Sequence, residues 1–159
     1  MSLKDFGIPK EDRYFDDYVA GTEYEFAETL SVSEDDIITF AKQFDPQYFH
    51  TDPVAAAGSI YKGLIASGAH TIAVSFRLYI QNYLPGKASF GSPGIDEVRW
   101  LKPLRPGDTL RVRITVQEAK ASQSKNDRGT VRSLVETINQ DGDVIMKYIA
   151  INIMAKRSA

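Results

Sequence analysis

The chain has 159 residues, of which 43% are hydrophobic, and this length suits one buried core and a single domain over residues 1–159. Its 19 basic and 21 acidic side chains give a net charge of -2, which disfavours nonspecific nucleic-acid binding, and the absence of cysteine excludes disulfides and Cys-ligated zinc. The chain also lacks a signal-peptide pattern and an apolar run long enough to span a membrane. We therefore expect a soluble, cytoplasmic protein without nucleic-acid or membrane partners.

The first part of the chain predicts an arm, a strand and a helix. We expect residues 1–13 to form an extended N-terminal arm, and the alternation of polar and apolar residues over 22–30 favours a half-buried strand. Ser33 then suits the cap of a helix, since its hydroxyl can accept from the backbone of Asp36. Pro46 predicts the end of this helix, because the residue before a proline avoids helical geometry.

Two Asp-Pro steps, at residues 45–46 and 52–53, mark the next segment as irregular. Asp52 and Pro53 suit the cap and first turn of a short helix over residues 53–57, which Gly58 could end in a left-handed conformation. Residues 70–84 then predict a long helix that is apolar nearly all round, a pattern typical of a helix buried on most sides.

The second half of the chain changes to the period of strands. Leu110, Val112, Ile114 and Val116 alternate with polar residues, which predicts a strand with one buried face. Asp141-Gly142 is a hairpin signal. Further strands are predicted over residues 95–100, 130–139 and 144–154, with a polar loop over 120–129. One long helix and about five strands, mostly consecutive, imply an α+β fold with an antiparallel sheet wrapped on a helix.

Asp45 and His50 are the first candidates for chemistry. An aspartate and a histidine that meet at one water form a plausible acid–base pair, because imidazole titrates near neutrality and the carboxylate can orient it. A loop restrained by two Asp-Pro steps is stiff enough to bring them together. The same residues also suit local roles, with Asp45 at a helix end, Asp52 as a cap and His50 as a loop residue. The spacing leaves both interpretations open.

Gly68 lies at the start of the predicted buried helix, where the first backbone N–H groups have no intrahelical partner. Such a donor could stabilise a carbonyl oxygen that gains negative charge, and glycine allows a close approach. A tight turn into a packed helix explains the glycine equally well. His70, on the first helical turn, favours a structural or cavity-wall role.

Three stretches resemble the MaoC-type dehydratases and (R)-specific enoyl-CoA hydratases. They are the run from Tyr14 to Pro53 with FAKQFDPQYFHTDP, the segment GLIASGAHT at residues 63–71, and VRWLKPLRPGDTL at residues 98–110. The resemblance implies a single hotdog domain, with the sheet wrapped around the central helix. It further implies a homodimer or dimer of dimers through paired sheet edges, a thioester substrate on coenzyme A or an acyl carrier, and no metal or redox cofactor.

The resemblance also carries residue roles. Asp45 and His50 match the catalytic pair of the family, and Gly68 matches the glycine whose N–H forms the oxyanion hole. Two departures concern Ser67, where the family often has histidine, and Phe76, where many hydratases have serine. We expect substrate contacts from Ser67, and the aromatic residues that could line an acyl pocket are Tyr48, Phe49, Tyr61 and Phe90.

The function implied is reversible addition of water to a trans-2-enoyl thioester. His50 would take a proton from water as it attacks C3, Asp45 would orient the water and help protonate C2, and Gly68 would polarise the carbonyl. The alternatives are a hotdog thioesterase and a non-catalytic acyl-thioester-binding subunit. A thioesterase would be expected to carry its carboxylate on the central helix, but residues 71–84 contain no Asp or Glu.

Overall fold

Six antiparallel strands form the sheet in the computed structural model, which describes residues 4–158. In chain order they are β1 (Glu23–Glu25), β2 (Leu30–Ser31), β3 (Gly94–Trp100), β4 (Thr109–Ala121), β5 (Arg128–Ile138) and β6 (Val144–Ala155). The order across the sheet is β1-β4-β5-β6-β3, and β2 also pairs with β4. β3 is therefore an edge strand.

The alternation over β4 is confirmed, since Leu110, Val112, Ile114 and Val116 are all fully buried. The predicted loop over residues 120–129 is too long, because the β4–β5 ladder continues until Ala121 faces Gly129. The predicted strand over 22–30 is interrupted for a geometric reason. Glu25 pairs with Arg113 and Leu30 pairs with Leu110 on β4. The first strand thus has five residue steps between these two pairs where β4 has only three, so residues 26–29 cannot stay in register.

Four helices complete the fold: α1 (Glu34–Phe44), α2 (Tyr48–Thr51), α3 (Pro53–Ala57) and α4 (Gly68–Asn82). The predicted caps are confirmed. Ser33 accepts from the N–H of Asp36 at 3.1 Å, and the Asp52 carboxylate accepts from two amides in the first turn of α3. The left-handed end predicted at Gly58 is wrong: its φ is -86°, because its N–H still bonds back to Ala55 in right-handed geometry.

α4 packs against the sheet and begins two residues before the predicted start, because Ser67 caps it. Val74, Leu78 and Tyr79 are buried in the core. Buried hydroxyls fix its position on the sheet, since Ser75 bonds the Tyr148 hydroxyl at 2.9 Å and accepts from Thr137 at 2.9 Å. In this single chain a narrow stripe stays exposed, formed by Ala69, Ala73, Arg77, Ile80 and Gln81.

The N-terminal segment lies against the core. Phe6 is buried and stacks on Tyr24, with 4.6 Å between ring centroids, and residues 10–12 form a 3-10 turn. The expected arm thus packs on the fold from residue 4 onward, while residues 1–3 of that prediction lie outside the described residues. A sheet wrapped around one central helix is the expected hotdog domain. Within residues 4–158, no helix has both the length and the apolar character needed to cross a membrane.

The capping box at the start of α1 gives a stability prediction. Ser33→Ala removes the acceptor for Asp36 N–H and exposes an unpaired helix start, so we expect a loss of about 1 kcal/mol in the free energy of unfolding. Urea denaturation measures this loss. Ser33→Thr keeps the hydroxyl and should retain most of the stability; an equal loss in both variants would contradict the capping role.

Candidate active site

A cavity of about 680 Å³ opens at the start of α4. The end of α1, the loop with α2, the strip Ile65–Ser67 and the segment after β3 surround it. It brings together six of the eight predicted site residues, namely Asp45, Phe49, His50, Tyr61, Ser67 and Gly68. Residues far apart in the chain thus meet at one helix start.

The aromatic side chains expected at an acyl pocket divide into two groups. Phe49 and Tyr61 line the cavity, with 5.2 Å between their ring centroids. Tyr48 lies outside the lining and is 52% exposed, because α2 turns Phe49 and His50 inward and leaves Tyr48 on its outer side. Phe90 also lies outside it, where the Arg128 guanidinium covers its ring.

His50 is held in one tautomer by the backbone. Its Nδ1 lies 2.7 Å from the carbonyl oxygen of Ile65, and a carbonyl only accepts, so Nδ1 carries a proton. The other ring nitrogen, Nε2, lies 3.3 Å from Asp45 Oδ2. Since His50 is 4% exposed, the imidazole is buried and oriented with its basic nitrogen at the carboxylate.

Asp45 follows the last residue of α1 and receives two further hydrogen bonds. Gln47 Nε2 donates to Oδ1 and Ser67 Oγ donates to Oδ2, each at 2.7 Å. Partial burial raises the pKa of Asp45, but these donors and the nearby His50 outweigh it and hold the pKa below the ordinary value. Asp45 is therefore an ionised carboxylate near neutrality.

Gly68 is the first residue of α4, and among residues 4–158 its N–H has no hydrogen-bond acceptor. The helix dipole adds positive character at this position. The Trp100 indole lies across the glycine and donates from Nε1 to its carbonyl oxygen at 3.1 Å. A Cβ on Gly68 would lie 2.6 Å from the Trp100 ring, so this close approach also requires glycine.

Sequence reasoning missed three contributors to the site. The Ile65 carbonyl fixes the His50 tautomer, Gln47 bonds Asp45, and Trp100 lines the cavity. Trp100 is the only tryptophan of the chain and lies in the motif at residues 98–110, so the sequence could have marked it as a site residue. A backbone carbonyl leaves no trace in residue type, so its role could not be read from the sequence.

The other histidine lies elsewhere. His70 stacks on Phe40 with 4.5 Å between centroids and lines a separate cavity between α1 and α4. Burial lowers the pKa of His70, although Asp36 nearby raises it in part. This placement agrees with a cavity-wall role. Within the described part of the chain, no group of three or more His, Asp or Glu side chains is arranged to hold a metal ion.

Comparison with known proteins relates this chain to a protein family. The model of the MaoC like domain matches residues 17–139. The uncharacterised protein YdeM of Bacillus subtilis (strain 168) is 36% identical over 126 residues, which are 79% of this chain and 86% of that protein.

Two solved structures share the fold and part of the sequence. A MaoC-like dehydratase from Rhodospirillum rubrum has a TM-score of 0.85 and 35% identity, covering 92% of this chain and 99% of that one. The unliganded R-hydratase PhaJ1 from Pseudomonas aeruginosa has a TM-score of 0.70 and 29% identity, covering 90% and 85%. With a family model that spans most of its length and a hotdog domain around α4, this chain belongs to the MaoC-like domain family of hydratases and dehydratases.

Proposed function

We propose that the protein reversibly adds water to the double bond of a trans-2-enoyl thioester carried on coenzyme A or an acyl carrier, in the cytoplasm. One observation carries the proposal. His50 Nε2 lies 3.3 Å from the ionised Asp45 carboxylate, in a cavity that Gly68, the first residue of α4, also lines. A base, an anionic hydrogen-bond acceptor and an oxyanion donor are the three groups that hydration of a conjugated thioester needs.

The thioester carbonyl is the group that Gly68 would bind. As water attacks C3, electrons move through the double bond to the carbonyl oxygen and an enolate forms. The N–H at the start of α4 and the positive end of the helix dipole stabilise the charge on this oxygen. The developing charge therefore needs no group beyond the chain's own donors.

The protons balance through the acid–base pair. His50 Nε2 takes one proton from the water, the hydroxyl forms a bond to C3, and the pair returns a proton to C2. Since Nδ1 already donates to the Ile65 carbonyl, the imidazolium formed in this step has both N–H groups satisfied, one by Ile65 and one by Asp45. Dehydration follows the same path in reverse.

Asp45 acts in this scheme as an acceptor and a counter-charge. Its lowered pKa keeps it ionised, so in the resting site it orients water and stabilises the imidazolium instead of serving as the initial acid. The proton returned to C2 is then the one removed from water. This refines the expectation that Asp45 itself helps to protonate C2.

Hydrolysis of the thioester fits the site less well. α4 carries no Asp or Glu, and within residues 4–158 the one carboxylate in contact with the candidate base is Asp45, which precedes the helix. A non-catalytic binding subunit would have no need for a base whose tautomer is fixed. The experiments below separate these functions because hydration consumes the enoyl chromophore, hydrolysis releases free thiol, and binding alone does neither.

We also propose a homodimer, as such or within a dimer of dimers. β3 pairs only with β6 among the described strands, so its other edge is open. Trp100 and Leu101, both more than half exposed, lie at the end of this edge and line the cavity. Open edges are normally paired or covered, and a second copy at β3 would bury these side chains and complete the mouth of the site.

The acid–base pair can be tested by removing each partner. His50→Ala and Asp45→Asn should each lower kcat by at least about 100-fold, because each group acts directly on the attacking water. Loss of the enoyl-thioester absorbance of crotonyl-CoA measures the rate, with a thiol reagent reporting any hydrolysis.

Asp52→Asn is the matched control for these variants. It removes the same charge seven residues away, and asparagine remains a good cap for α3. Quenching of the single tryptophan, which lines the cavity, verifies that each variant still binds the thioester. Near-wild-type turnover in His50→Ala would refute the proposed base.

The oxyanion donor can be tested by a matched pair at residue 68. Gly68→Pro removes the N–H but suits the first position of a helix, and Ser67 already has the extended geometry (φ -55°, ψ 143°) that a following proline requires. Gly68→Ala keeps the N–H and adds the same Cβ against Trp100.

Because loss of one oxyanion donor costs about 100-fold or more in kcat, the proline variant should be slower than the alanine variant by that factor, with a smaller change in KM. Circular dichroism confirms that both variants fold. Equal rates in the two variants would remove the Gly68 N–H from the mechanism and leave the glycine only its packing role against Trp100.

The oligomeric state follows from the open edge at β3. Light scattering at micromolar concentration should give a mass of about 35 kDa, twice the 17.7 kDa of the chain, or a multiple of it. A mass near that of one chain would contradict the dimer.

A further inference from the structure

We propose that Ser67 is a positioning residue that holds the Asp45 carboxylate at a fixed place relative to the start of α4, and that it does not bind substrate. This inference deepens the proposed hydration and rests on it. It replaces the substrate contact that we expected for Ser67 from the sequence.

The first argument is that the hydroxyl of Ser67 can donate only one hydrogen bond. A serine hydroxyl has one proton, and that of Ser67 is donated to Asp45 Oδ2 at 2.7 Å. The hydroxyl oxygen of Ser67 in turn accepts from the N–H of Ala69 at 3.3 Å and so caps α4. With its proton committed and only 1% of the residue exposed, the hydroxyl of Ser67 has no hydrogen left to donate to a thioester carbonyl.

The second argument concerns where in the chain the hydrogen-bond partners of Asp45 lie. Gln47 and His50 follow Asp45 closely in the chain, two and five residues after it. Ser67 lies 22 residues further along the chain, at the start of the buried helix. Among residues 4–158, it is the only side chain outside that loop that donates a hydrogen bond to the carboxylate.

The burial of this contact is the third argument. An exposed hydrogen bond, such as that from Gln47, can be replaced by water when it is lost. The hydroxyl of Ser67 is enclosed, and it bonds the same oxygen, Oδ2, that faces His50 Nε2. Ser67 therefore sets which carboxylate oxygen faces the base and keeps that oxygen beside the first turn of α4.

The test is Ser67→Ala, with Ser67→Thr as the variant that keeps the hydroxyl. In Ser67→Ala the pKa of Asp45 should rise, because a donor to the ionised form is lost. We expect kcat to fall by about 10-fold or more with little change in KM, since hydrogen bonds to a charged group contribute about that factor. Ser67→Thr should restore both.

The pKa is measured by NMR titration of the Asp45 side-chain carbon in ¹³C-labelled protein. Ser33→Ala is the control, because it also removes a helix cap but lies at the far end of α1 from Asp45. It should lower stability and leave the Asp45 titration unchanged. A fall in stability alone in Ser67→Ala, with no change in the Asp45 titration, would reduce Ser67 to a helix cap and overturn the proposal.

Two other outcomes separate this inference from the proposed function. A higher KM at unchanged kcat and unchanged Asp45 pKa in Ser67→Ala would restore the substrate contact and overturn the positioning role. If the wild-type protein hydrates no enoyl-CoA, the proposed function fails. The positioning role is tested independently of turnover, because an Asp45 pKa that is unchanged in Ser67→Ala would overturn it.

Discussion

The site depends on the three residues that precede the central helix, the strip Ile65–Ser67. The carbonyl of Ile65 accepts from His50, and the N–H of Ile65 donates to the Phe49 carbonyl at 3.1 Å. The N–H of Ala66 donates to the Leu104 carbonyl at 2.8 Å, which ties the strip to the rest of the domain. Ser67 then bonds Asp45 and begins α4. One short strip thus fixes the imidazole, the carboxylate and the helix start together.

The charges of the site follow from these contacts. Desolvation alone would raise the pKa of Asp45, but two donors and the imidazole reverse this effect and keep the carboxylate ionised. The Ile65 carbonyl accepts from Nδ1 of His50 and so directs Nε2 at this charge. An imidazole that gains a proton here would find its counter-ion in place, so little reorganisation accompanies the transfer.

Trp100 connects the site to the edge of the sheet. It ends the open strand β3, packs on Gly68 and donates to that glycine's carbonyl oxygen. The contact gives glycine a packing role at residue 68 apart from chemistry, since a Cβ there would have to displace the indole. In the proposed dimer, a partner that covers this edge would contact the same indole, which would link assembly to the geometry of the helix start.

The sequence by itself determined most of the longer elements and the residue types of the candidate site. Period-two alternation marked β4, and Ser33 and Asp52 marked two helix starts, because these signals are local. The spacing of Asp45 and His50 left their role open, and only the resemblance to family motifs selected them and Gly68 as site candidates. Only the tertiary structure decided which groups meet. It bonded Ser67 to Asp45, joined His50 to a backbone carbonyl, turned Tyr48 outward and interrupted the first strand, because long-range packing and register depend on residues distant in the chain.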